Sequence, residues 1–236
     1  LMLRGPQTSA EAIKIIEFAN QNRPIHVLTL ENPVEYVYQN KKSIFTQRAI
    51  EIDSLSFPMG MRAALREKPD IILIGEMRDQ DTIIAGLKAA ETGHLVLSTL
   101  HTNDAVQTIN RVINTFPPHE QEQVRLQLSE TIRASISQRL LKRVDKPGRI
   151  CSIEILLITP NARGSNSREY IRRNEINELY KVISTSSYDG MQSGNMSLFQ
   201  HFDNCVIKGD DALALSDNPE EMTQWIRRYA GKTVAI

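Results

Sequence analysis

Cysteine is scarce, with Cys151 and Cys205 the only two in 236 residues. They are far apart and in no metal-ligand spacing, which excludes a disulfide-stapled scaffold and fits reduced thiols in a cytosolic compartment. Both read as small core residues. A charge of one sign is also missing: 28 basic side chains face 28 acidic ones, and the formal net charge is zero. No overall field therefore draws the chain to a polyanion, so any phosphate it binds must be held by local groups. Aromatics make up 6% of the residues and form no basic stripe with interleaved rings, which argues against direct nucleic-acid contact. No uncharged apolar run approaches the roughly 20 residues that cross a bilayer, and the first residues lack a charged-then-apolar signal layout. The expectation is a soluble protein that, if it works at a membrane, docks to partners there.

What is present is a rhythm of apolar runs and amphipathic stretches. Leu1-Met2-Leu3 reads as the last part of a buried strand running into the turn Arg4-Gly5-Pro6, so the expectation is that a segment upstream is missing. Ala12, Ile13, Ile16 and Ala19 recur at helical spacing, with Thr8 or Ser9 as N-cap. Strands are predicted over residues 25–30, 71–75 and 95–99, with helices over 55–67, from Asp79 onward, and over 103–113. Unbroken apolar strands alternating with amphipathic helices mark a parallel α/β sheet covered on both faces. Val124, Leu128, Ile132, Ile136 and Leu140 predict one long helix over 120–143, followed by a strand over 150–157. Beyond Thr159-Pro160 the pattern is mostly helical, so the expected division is a core over 1–160 and a helical C-terminal subdomain over 161–236.

Four stretches carry chemistry. Ile71 to Ile74 leads into Gly75-Glu76-Met77-Arg78-Asp79, placing a carboxylate at the carboxyl edge of the sheet, where α/β proteins bind ligands. Read alone, Glu76 is either an acid that orients water or magnesium beside a γ-phosphate, or a cap of the next helix. Glu31 and Glu35 flank Asn32-Pro33 past a neighbouring strand and are either a magnesium and water site or a solvated turn. His101 follows the strand over 95–99 at its carboxyl end, within reach of a phosphate, whereas His94 precedes it and by geometry is structural or a subunit contact. Arg48, Arg62, Arg66 and Arg78 are scattered around the strand ends; each alone suits a surface salt bridge, and together they offer a phosphate contact.

Taken in order, Leu30-Glu31-Asn32-Pro33-Val34-Glu35-Tyr36, Gln47-Arg48, Ala63 to Asp70, Gly75 to Asp79, Ala90-Glu91-Thr92-Gly93-His94 and Ser98 to Thr102 resemble the type II secretion and type IV pilus motor ATPases. The likeness runs from about residue 25 to residue 160 and is nearest the PilT-like retraction branch. It implies a RecA-like P-loop core, a homo-hexamer, ATP and Mg²⁺, and a cytoplasmic place at the inner membrane beside a pilus or secretion platform protein. By the same resemblance Glu76 is the catalytic carboxylate of a Walker B motif, Glu31 and Glu35 are acids of the aspartate box with Glu31 and Glu76 facing the metal, and His94 and His101 form the histidine box. Asn32 stands where the family carries a further acid. The phosphate loop should lie at Gly5-Pro6-Gln7-Thr8-Ser9, where Gly5, Pro6, Thr8 and Ser9 suit its flanks but the intervening glycines and lysine are absent. Either the subunit is a degenerate, non-hydrolysing member of a motor ring, or the printed sequence omits part of the loop; the well-patterned flanks favour omission. A conjugation or DNA-uptake motor is the remaining alternative.

Overall fold

The computed structural model describes residues 2–3, 10–158 and 166–233. Gly5, Pro6, Thr8 and Ser9, and the expected division at residue 160, lie outside them.

The chain runs β1 (Met2–Leu3), α1 (Ala10–Asn22), β2 (His26–Glu31), β3 (Ile44–Ala49), α2 (Phe57–Ala64), β4 (Ile71–Ile74), α3 (Gln80–Glu91), β5 (Leu95–Thr99), α4 (Ala105–Asn114), α5 (Pro118–Thr131), β6 (Ala134–Lys142) and β7 (Arg149–Leu157). Helices α6 (Ser167–Arg172), α7 (Glu178–Thr185), α8 (Gly194–Asp203), α9 (Gly209–Ala214) and α10 (Pro219–Thr233) follow. The strands form one sheet in the order β3-β2-β4-β5-β1-β6-β7. Every neighbouring pair is parallel except β6 and β7.

The unbroken apolar strands follow from this layering, because alternate side chains feed two separate cores. Val27, Ile71, Leu73 and Leu97 meet Ala12 and Ile16 of α1 on one face. Leu28, Leu30, Ile72, Ile74 and Val96 point the other way and meet Met61 of α2, Ile83 and Leu87 of α3, and Ile109 and Val112 of α4. Ile171 of α6 and Leu179 and Val182 of α7 join this second core. Leu198, Ile207, Ala212 and Met222, from α8 to α10, form a third cluster against Leu141 of β6.

Two elements depart from the sequence expectation. The long helix expected over 120–143 ends at Thr131, and residues 134–142 are strand β6. A spacing of four fits a helical turn and also two strand pleats, so Ile132, Ile136 and Leu140 satisfied both periods; Ile132, in extended conformation (φ −64°, ψ 134°), makes the break. Strand β3 was not foreseen, its residues Ile44-Phe45-Thr46-Gln47-Arg48-Ala49 mixing apolar and polar side chains because it pairs on only one edge. Cys205 is also exposed rather than core, and Cys151 is half-buried.

The topology singles out one crevice. The helix after β1 packs on one face and the helix after β5 on the other, yet β1 and β5 are neighbours, with Leu3 paired to Thr99. Adjacent strands whose connections leave in opposite directions open a cleft between their carboxyl ends, where open α/β sheets bind ligands.

Candidate active site

The site is built where β2, β4 and β5 finish. The Gly75 N–H donates to the Leu30 carbonyl at 2.8 Å, continuing the β2–β4 ladder past the strand. A Cβ at Gly75 would stand 3.4 Å from both Leu30 O and Glu31 Cα, so glycine lets the end of β4 lie directly against β2. From the other side, the Thr99 hydroxyl donates to the Gly75 carbonyl, and Met77 N–H reaches Thr99 O at 3.4 Å. Glu76 is thus carried on backbone tied to both neighbouring strands.

Its carboxylate is turned toward a guanidinium and an imidazole. Oε2 lies 2.7 Å from Arg78 Nη2, and Oε1 lies 3.5 Å from His101 Nε2. The hydrogen bond from Arg78 to Glu76 raises the guanidinium pKa, keeping Arg78 charged. Glu76 is mostly sheltered, whereas Arg78 and His101 reach into solvent. Around them opens a cavity of about 250 Å³ that also includes Glu35, Asn32, Phe57 and Thr99. A larger cavity of about 460 Å³, with Met77, Leu87, Leu128 and Ile132 in its walls, lies at the amino end of β5. Strand polarity sets that one aside; a third, of about 840 Å³, also reaches His101 but lies toward Asp104, Arg139 and Asp217, away from Glu76.

The helix-cap alternative for Glu76 is answered by Asp79. Its Oδ1 accepts the Thr82 N–H at 2.8 Å and its Oδ2 the Thr82 hydroxyl at 2.9 Å, capping α3. Asp79→Ala is expected to cost about 1 kcal/mol of stability, read from the urea unfolding midpoint.

The remaining sequence candidates fall in different places. Glu35 is exposed at the cavity. Glu31 is fully buried at the end of β2, its Oε1 accepting from the Thr29 hydroxyl at 2.7 Å and from Gln47 Nε2 at 3.4 Å; it stands behind the cavity wall instead of lining it. Arg48 is half-buried on β3 and paired with Glu67. His94 precedes β5, its Nδ1 3.1 Å from Ala89 O and 3.2 Å from Thr92 Oγ1, a strand length of about 16 Å from the cavity. Thr99 was not singled out from sequence; the signal was the hydroxyl pair Ser98-Thr99 closing an apolar run.

Comparison with known proteins identifies the family. The chain is 42% identical over 226 residues to a "Twitching motility protein" of Neisseria gonorrhoeae, covering 94% of this chain and 59% of that protein. It is 41% identical over 223 residues to the type IV pilus retraction ATPase PilT of Pseudomonas aeruginosa, covering 93% of this chain and 63% of that protein. The chain therefore spans about three fifths of the length of these relatives. Among solved structures, the pilus retraction motor PilT with bound ADP superposes with a TM-score of 0.83 at 38% identity, over 94% of this chain and 63% of that one. The fold is the RecA-like α/β fold of these secretion ATPases. Residues 8–206 match the family model described as "Type II/IV secretion system protein", and the chain belongs to that family.

Proposed function

We propose that this chain is the ATPase part of a hexameric motor that couples ATP hydrolysis to type IV pilus retraction or a related secretion step. The observation that carries the reading is the pairing of Glu76 with His101 across the carboxyl ends of β4 and β5, 3.5 Å apart and beside the crevice that opens between β5 and β1. A mostly sheltered carboxylate there can take a proton from an attacking water, and an adjacent imidazole can report on the phosphate beside it.

The donor set fits Mg²⁺ with a nucleotide. Among the described residues no group of three or more His, Cys, Asp or Glu side chains gathers into a metal cage. Magnesium in phosphoryl-transfer sites needs only one or two carboxylates, the rest of its octahedron being water and phosphate oxygens. Glu76 and Glu35 supply such oxygens at one cavity. When bound, the ion would neutralise charge developing on the β- and γ-phosphates. In this reading Glu76 orients and deprotonates water, and Arg78 pairs with its second oxygen. Glu31 acts from behind the wall by fixing the end of β2. Gly5, Pro6, Thr8 and Ser9 belong to the phosphate loop. Arg48 and His94, away from the cavity of their own chain, act at the contact with a neighbouring subunit. The ring works in the cytoplasm, docked to a platform protein at the inner membrane.

The purified full-length protein is expected to assemble into hexamers in native mass spectrometry and to hydrolyse ATP only while Mg²⁺ is present. A protein that turns over no ATP, or turns it over equally well in excess chelator, overturns the reading.

A further inference from the structure

Glu154 is an acid on β7 that the chemistry above does not use, and it is buried. Its Oε1 accepts the N–H of Ala105, the first residue of α4, at 2.7 Å. The N–H of Gly194, the first residue of α8, bonds the same carboxyl. A Cβ on Gly194 would stand 3.4 Å from Glu154 Oε2, so the helix end closes directly on the acid. Both amides are among the donors that a helix leaves unsatisfied at its amino end, and both helix dipoles favour an anion there.

The two helices joined by this carboxyl belong to different parts of the molecule. Helix α4 begins immediately after the loop of residues 101–104, which carries His101 from the end of β5. Helix α8 opens the third hydrophobic cluster, shared with α9 and α10. We propose that Glu154 is a positioning residue: its carboxyl pins the amino ends of α4 and α8 together, so that the His101 loop and the C-terminal helices shift as one unit. The part of this that concerns turnover rests on reading Glu76 and His101 as the hydrolytic pair.

The surroundings make the clasp sensitive to protons. Burial pushes the Glu154 carboxyl up to about 7, helped by the charges of Asp104 and Asp217 and opposed by the two amides. Asp104 faces it from the start of α4, and Tyr180 of α7 donates to Asp104 at 3.2 Å. Arg139 of β6 sits beside it, held by Asp217 at 2.6 Å and by the Asn103 carbonyl at 3.2 Å. An ionised carboxylate accepts from both amides through charge-assisted bonds, whereas the protonated acid keeps one free acceptor oxygen. The folded carboxyl has a pKa above its ordinary value, so its neutral form contributes stability at low pH that is lost as pH rises through 7. Burial outweighs the gain in charge assistance, so the clasp weakens over the same interval.

Hydrogen exchange on the full-length protein tests this, corrected for intrinsic rates and followed in segments 101–108 and 193–200. Between pH 6 and pH 8 both segments should lose protection together, by about tenfold, the share of the linkage that falls in that interval for a carboxyl held near 7. In Glu154→Gln, which keeps size and one acceptor, that pH response should vanish from both. A response in one segment alone, or one that persists in Glu154→Gln, overturns the clasp. At saturating ATP, kcat of the wild type should pass through an inflection near pH 7 that Glu154→Gln lacks. An inflection shared by the variant overturns the positioning role even if the exchange result stands. Absence of turnover in the wild type would count against the hydrolytic reading, and the exchange arm would still decide the clasp.

Discussion

Glu76→Gln is expected to lower ATP turnover by roughly 10²–10⁴-fold, the range carried by a positioned general base, while nucleotide still binds. Glutamine keeps the length and volume of the side chain, and its oxygen can still accept from Arg78, 2.7 Å from Glu76 Oε2 in the native site. What it removes is the basic oxygen turned toward His101. The loss should therefore fall on kcat and on kcat/KM alike, the signature of an interaction made only in the transition state. Arg78 gives the internal control. It is 75% exposed and pairs with Glu76 alone among the described ion pairs, so Arg78→Ala should lower turnover far less. Steady-state rates at saturating and limiting ATP separate these outcomes. Undiminished kcat in Glu76→Gln would remove the carboxylate from the chemistry and leave it a partner for Arg78.

Much of this site was legible from residue order alone, and the reason is physical. A parallel strand buried on both faces must be apolar throughout, so the first polar residue after it marks the carboxyl edge; Gly75-Glu76 after Ile74 and His101 after Thr99 announce themselves this way. Helix α3 was equally plain from Asp79 onward, and Asp79 caps it. Illegible were properties that depend on neighbours distant in sequence. Glu31 read as either a magnesium-site acid or a solvated turn acid, but β3 covers it with Gln47, and β3 itself carries no clear alternation. Residues 134–142 imitated a helix because a four-residue spacing cannot separate two pleats from one turn, and only pairing with β1 and β7 decides. Glu154 gave no sign at all. Its burial comes from two helix ends, at Ala105 and Gly194, that are 49 and 40 residues away along the chain.

The largest loss of stability should come from the strand that carries Glu76. Ile72→Ala is expected to cost about 2–5 kcal/mol, with Ile72→Val costing about 0.5–1.5 kcal/mol. Ile72 is fully buried on β4, registered with Leu28 of β2 on one side and Val96 of β5 on the other. Its side chain faces the core shared with α2, α3 and α4, so the helices on that face and the flanking strands all restrain the site from collapsing into the vacated volume. Removing the same atoms from Ile52, 82% exposed in the turn after β3, should change stability by no more than about 0.5 kcal/mol. Urea unfolding with a common slope distinguishes the three variants. A small effect at Ile72 would mean that the helices close over the gap and the sheet is less rigidly held than its burial implies. Strand β4 also ends at Gly75-Glu76, so a cavity within it loosens the backbone that aims the carboxylate. Ile72→Ala should therefore lose turnover per folded molecule as well, without altering the dependence on pH, because no titrating group has been touched.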